Sequence, residues 1–132
     1  MLGNLKRLDV RGTSVSAENL LDCFTHGHTN DSVVFWLSAL QANGDGWNDQ
    51  LLLQMSDRLV LDHLEKLNLS CSKGGGGMIT NQGVQQAFFK EEQRIQTLPK
   101  LQSLSLQGHS GITSSLIAAT RTRAPNLLSL DI

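Results

Sequence analysis

A motif of the form L-x-x-L-x-L recurs along this chain, and recurrence of one motif constrains a fold more than any local propensity does. It reads Leu5-Lys6-Arg7-Leu8-Asp9-Val10, Leu64-Glu65-Lys66-Leu67-Asn68-Leu69 and Leu101-Gln102-Ser103-Leu104-Ser105-Leu106, and again Leu127-Leu128-Ser129-Leu130-Asp131-Ile132. The step from Leu5 to Leu64 is about twice the others, so a further copy is expected between them. Val34-Phe35-Trp36-Leu37-Ser38-Ala39 matches best, and a register one residue later, on Phe35, Ser38 and Leu40, is the alternative.

A second pattern, read separately, agrees with the first. A large apolar residue directly precedes an N-cap type at Val15-Ser16, Trp47-Asn48, Ile79-Thr80 and Ile112-Thr113, at spacings of 32, 32 and 33 residues. Ser, Asn and Thr side chains accept hydrogen bonds from the first free helical N–H groups. Apolar residues follow at helical spacing: Leu20, Leu21 and Phe24; Leu51, Leu52 and Met55; Val84, Ala87 and Phe88; and, most weakly, Leu116 and Ile117. The unit is strand, loop, helix. Alternation puts the leucines on one strand face, and the helix supplies an apolar stripe. One unit cannot bury both, whereas stacked units share a continuous core. The expected fold is therefore α/β, a right-handed solenoid with parallel strands on the concave face and helices on the convex face. A doubly wound sheet is the alternative for alternating strands and helices; the fixed period favours the solenoid. Strands are expected near residues 7–11, 35–40, 66–70, 103–107 and 129–132. Helices are expected to start near Ser16, Asn48, Thr80 and Thr113, the third being the longest and reaching toward Gln93. Leu67, Leu69, Leu104 and Leu106 are expected in the core.

On these residues the chain resembles the leucine-rich repeat superfamily. The segments Leu98–Leu106 and Ala124–Ile132 carry the likeness most strongly, and Ile112-Thr113-Ser114-Ser115-Leu116 resembles the convex part of the long, helix-bearing repeats. Those are the cysteine-containing, ribonuclease-inhibitor-like subclass, which includes the receptors of F-box-type ubiquitin ligases. The asparagine of the family pattern is replaced by Thr13, Ser72 and His109, and residues 71–79 carry an insertion. The resemblance implies one leucine-rich-repeat domain over 1–132, of about four and a half repeats. It also implies a protein–protein interaction scaffold: the substrate-recognition part of a ubiquitin ligase, or an accessory subunit of a larger assembly.

Composition narrows the partners. Eleven basic residues face twelve acidic ones, a net charge of −1, where a nucleic-acid or acidic-membrane binder needs a positive surplus. No stretch approaches the roughly 18 apolar residues of a membrane span. Two cysteines, Cys23 and Cys71, build no disulfide framework, which suits an intracellular, cytoplasmic setting. Charged residues are only 17 %, consistent with surfaces meant to be covered.

Four groupings of reactive side chains invite chemistry. Cys23, His26 and His28 have zinc-ligand character, but no fourth ligand is near and Cys23 falls on the apolar helix face. Lys73 precedes the glycines 74–77, the reverse of a phosphate loop, in which Lys follows them. Arg121 and Arg123 lack the interleaved aromatics that stack bases. Cys71 and His109 follow consecutive strand motifs, and a cysteine-dependent enzyme using them is the rival reading. No G-x-S-x-G elbow is present.

No metal or cofactor is expected, and the chain reads as a non-catalytic binding module. Its site is the concave face: Arg7, Asp9 and Arg11; Trp36, Ser38 and Leu40; Lys66, Asn68 and Ser70; Ser103, Ser105 and Gln107; Ser129 and Asp131. Trp36 is either a binding hot spot or a filler of the core. The expected partner is another protein or further repeats of the same chain, with no nucleic acid, membrane or small-molecule substrate. A third possibility is a purely architectural segment. A solenoid needs caps, so the chain is expected to continue past Ile132 or to be covered there by another subunit.

Overall fold

The computed structural model describes residues 5–26, 37–58, 63–71, 77–88 and 98–132. In chain order the elements are β1 (Arg7–Asp9), α1 (Ala17–His26), β2 (Ala39–Gln41), α2 (Asp49–Arg58), β3 (Lys66–Asn68), β4 (Gly77–Thr80), α3 (Asn81–Phe88), β5 (Ser103–Ser105), β6 (His109–Gly111), α4 (Ser115–Arg123) and β7 (Ser129–Asp131). The architecture is mixed α/β. Five three-residue strands pair in parallel in the order β1-β2-β3-β5-β7, and β4 pairs in parallel with β6.

The register of the sheet follows from its leucines. Leu8, Leu40, Leu67, Leu104 and Leu130 are Cα partners across the five strands. Each is the central residue of its strand, so alternation sends it inward and sends both neighbours outward. Leu40, Leu67 and Leu104 have no exposed surface. Leu8 and Leu130, on the two edge strands, are only partly buried. The four leucines expected in the core, Leu67, Leu69, Leu104 and Leu106, are all fully buried.

The backbone hydrogen bonds recur with the motif. Ser38 and Ala39 both donate to the Lys6 carbonyl; Glu65 and Lys66 to Ser38; Gln102 and Ser103 to Glu65; Leu128 and Ser129 to Gln102. At the other end of the strands Val10 donates to Gln41, Ala42 to Asn68, Leu69 to Ser105 and Leu106 to Asp131. One bonding scheme thus serves every strand pair, whatever side chains it carries.

Three of the four expected caps act as such. Ser16 Oγ accepts from Asn19 N at 3.1 Å, Asn48 Oδ1 from Leu51 N at 2.9 Å, and Thr80 Oγ1 from Gly83 N at 3.2 Å. The Thr80 hydroxyl in turn donates to Asp49 Oδ2 at 2.6 Å, tying α3 to α2. The fourth expectation needs correction. Ser114 is the N-cap of α4 and makes no side-chain cap bond. Thr113 is engaged elsewhere: its N–H donates to Asn81 Oδ1 at 3.0 Å and its hydroxyl oxygen accepts from Asn81 Nδ2 at 2.6 Å.

The second motif copy also needs correction. The sheet uses Leu37-Ser38-Ala39-Leu40-Gln41-Ala42, three residues beyond the best sequence match. Leu37, Leu40 and Ala42 are all buried, so Leu40 is a core residue and not part of the outward face. A strand's side chains alternate, and only this register sends the apolar set inward beside Leu8 and Leu67. The tail of the expected insertion, Gly77 to Ile79, belongs with Thr80 to strand β4. The expected extension of α3 to Gln93, the side chains of Cys23, His26 and His28, and Trp36 lie outside the described residues.

Candidate functional site: the outward face of the sheet

The strand register arranges the outward side chains in rows. One row reads Arg7, Ala39, Lys66, Ser103, Ser129; the next reads Asp9, Gln41, Asn68, Ser105, Asp131. Adjacent strands lie about 4.8 Å apart, so each row is a ladder of side chains at that spacing. Of the residues expected on this face, Arg7, Asp9, Arg11, Lys66, Gln107, Ser129 and Asp131 are exposed. Ser38, Asn68, Ser70, Ser103 and Ser105 are half-buried. Ala39 and Gln41 were missed, because the second copy was placed three residues early. A usable signal existed: the 32-residue step from Ser16 to Asn48, applied to Leu5, lands on Leu37.

Local hydrogen bonds fix several of these side chains. Arg11 grips Asp9 in a fork, Nε to Oδ1 at 2.9 Å and Nη2 to Oδ2 at 2.8 Å. The side-chain bond to Arg11, then the Arg11 backbone N–H, hold the Asp9 carboxyl down at about 2. Ser70 donates its N–H and its hydroxyl to Asn68 Oδ1 at 3.0 and 2.7 Å, and its oxygen also meets Ser105 Oγ. Ser38 Oγ donates to the Lys6 carbonyl at 3.0 Å. Arg7 and Lys66 have no ion-pair partner among the described residues. A cleft of about 300 Å³ opens here, and its lining includes Arg7, Asp9, Ala39, Gln41, Glu65, Lys66 and Ser103. Gln41 Oε1 is buried and has no hydrogen-bond partner among the described residues.

The Cys71 and His109 pair is brought together, with Sγ 3.5 Å from Nε2. Its wiring is structural. Ile79 N–H donates to His109 Nδ1 at 3.2 Å, so Nδ1 carries the lone pair and Nε2 the proton, which goes to the Leu69 carbonyl at 2.7 Å. Both ring nitrogens are thereby engaged, and the lone pair that would take the thiol proton is used by Ile79. Burial first, then the Asp45 carboxylate, push the Cys71 thiol up to about 11. A nucleophilic cysteine needs the opposite, a lowered value and a free base. The ring sits 4 % exposed in a slot between β4 and the β3 exit. Glycines make that slot: a Cβ on Gly77 would overlap Cys71 Sγ and His109 Nδ1, and one on Gly44 would overlap the Leu69 carbonyl. His109 thus bridges the Leu69 carbonyl after β3 and the Ile79 amide of β4.

No group of three or more His, Cys, Asp or Glu side chains among the described residues is placed to hold a metal ion. No helix among them is long and apolar enough to cross a membrane. Compared with protein-family models, with curated proteins and with solved structures, the chain matches none.

Proposed function

We propose that this chain is a leucine-rich-repeat solenoid of the long, helix-bearing type, and that it binds another protein on the outward face of its sheet. The solenoid reading is supported by parallel strands stacked in chain order and by one backbone hydrogen-bond scheme serving four successive strand pairs. The observation that carries the binding reading is the pair of outward rows. Ten positions in register across five strands form one continuous platform, polar or charged at every position but Ala39. Such a platform offers donors and acceptors at a fixed spacing of about 4.8 Å, which suits an extended partner surface better than a small molecule. The Cys71–His109 brace, with its raised thiol, favours this reading over a cysteine-dependent reaction. By the resemblance, the role is that of a recognition or accessory subunit in an intracellular assembly, a ubiquitin-ligase receptor being one such case.

A photo-crosslinking amino acid placed at Ser105, on the platform, and at Gln86, exposed on α3, tests the site. A discrete protein crosslinked from position 105, displaced by excess unlabelled chain and absent from position 86, is the expected result. Capture from position 86 alone places the binding surface on the helices and refutes the assignment.

A further inference from the structure

We propose that the partner presents a carboxylate, an Asp or Glu side chain of an extended acidic segment, to the Arg7–Ala39–Lys66 stretch of the sheet. The inference rests on the reading of the outward face as a protein-binding surface and adds the chemistry of what it binds. In the first row Arg7 and Lys66 flank Ala39, so two cations stand two strand spacings apart, about 10 Å at the backbone, over a floor made by one methyl group. Both are long, exposed side chains that reach over such a gap. The row carries no acid: beyond Lys66 it continues with Ser103 and Ser129, whose hydroxyls donate to anions.

The acids nearby do not cancel the pair. Asp9, in the second row, is held by Arg11 through two bonds of 2.9 and 2.8 Å. Asp131 lies at the far edge of the sheet, three strands from Ala39. Asp9 and Glu65 both line the cleft, and of the two Glu65 has no ion-pair partner among the described residues. Its carboxylate repels an anion, so its neutralisation is one arm of the test. That second row supplies an independent sign of a missing ligand. Gln41, the outward neighbour of Ala39 on β2, has an amide oxygen that is buried without a partner. An unmatched buried acceptor costs about 1–3 kcal/mol. By turning toward the cleft the amide gains the bond it lacks, and the N–H of an extended peptide is the donor suited to it. A carboxylate between Arg7 and Lys66 and a backbone N–H at Gln41 describe a segment running along β2, two of its residues spanning the step from Ala39 to Gln41.

The probe is a blocked tetraglutamate peptide, titrated against the chain with backbone amide chemical shifts as the readout. A tetraglutamine peptide and an oligothymidylate serve as comparisons. The expected result is tetraglutamate binding that moves the Ala39, Lys66 and Ser103 amides and weakens with added salt, as a screened charge contact must. Arg7→Gln and Lys66→Gln each weaken it about 2–5-fold, the range for exposed ion pairs, while Glu65→Gln tightens it by a similar factor. All three residues are exposed, so an unchanged far-ultraviolet spectrum checks that the fold is intact. Equal binding of tetraglutamine to the same amides, insensitive to the three variants, overturns the acidic assignment and leaves the face as an interaction surface. Oligothymidylate binding that depends on Arg7 and Lys66 and exceeds that of tetraglutamate overturns it in favour of nucleic acid. Failure of every probe to move these amides overturns the carboxylate site, while crosslinking at Ser105 decides separately on the face.

Discussion

Leu40→Ala separates the observed register of the second motif copy from the one that its best sequence match predicts. Leu40 has no exposed surface and is the Cα partner of Leu8 on one side and Leu67 on the other. Truncation to alanine removes three carbons, about 2.4 kcal/mol at roughly 0.8 kcal/mol per buried methylene. A cavity term adds to that, because walls collapse only partly, and measured buried Leu→Ala changes span about 2.7–5 kcal/mol. Here the walls resist collapse: β2 is hydrogen-bonded on both edges, and Leu37 and Ala42 beside it are themselves buried. The expected loss is therefore about 3–4 kcal/mol. At a urea slope of about 1–3 kcal/mol per molar, the unfolding midpoint falls by about 1–4 M. Ala39→Ser, one residue away on the outward side, is the control and stays within about 0.5 kcal/mol. A Leu40→Ala loss under about 1 kcal/mol, or equal effects of the two substitutions, refutes the observed register.

Four further outcomes follow from the site and the caps. In a Cys23→Ser background, Cys71 alkylation by iodoacetamide rises with a midpoint near 11 rather than the ordinary 9.0, and a midpoint at or below 9 contradicts the buried-thiol arrangement. By the same shift the fold favours the neutral thiol, so that contribution to stability is complete below pH 9.0 and is lost as pH climbs through about 11, which urea melts at stepped pH detect. Asp9 titrates by NMR at about 2, and Arg11→Gln returns it toward the ordinary carboxylate range; an unmoved titration disproves the fork. Asn48→Ala, which deletes the bond to Leu51 N, costs about 1 kcal/mol, whereas Ser114→Ala, with no cap bond to lose, costs measurably less in the same melt.

Much of this molecule is legible in its sequence, for a physical reason. Each three-residue strand of the sheet sends one leucine inward, and that requirement is written into the chain at Leu8, Leu67, Leu104 and Leu130. Helix starts are local chemistry, and Ser16, Asn48 and Thr80 declare themselves through side-chain acceptors beside free N–H groups. What the sequence left open was decided by partners far along the chain. Val34–Leu40 is apolar on both strand faces, so local alternation cannot choose a register there. The ladders to β1 and β3 choose it, and they turn Leu40 inward and bring Gln41 out. Thr113 has the residue type of a cap, but Asn81, 32 residues earlier, claims it. Cys71 and His109 have the residue types of a catalytic pair. Only the tertiary structure sets the Ile79 amide on one ring nitrogen and the Leu69 carbonyl on the other, which makes the pair a brace. Residue type and spacing determine where elements form, because those are contacts within a few residues. Register, tautomer and which polar group is left without a partner are settled by contacts some thirty to forty residues apart, and a linear reading does not contain them.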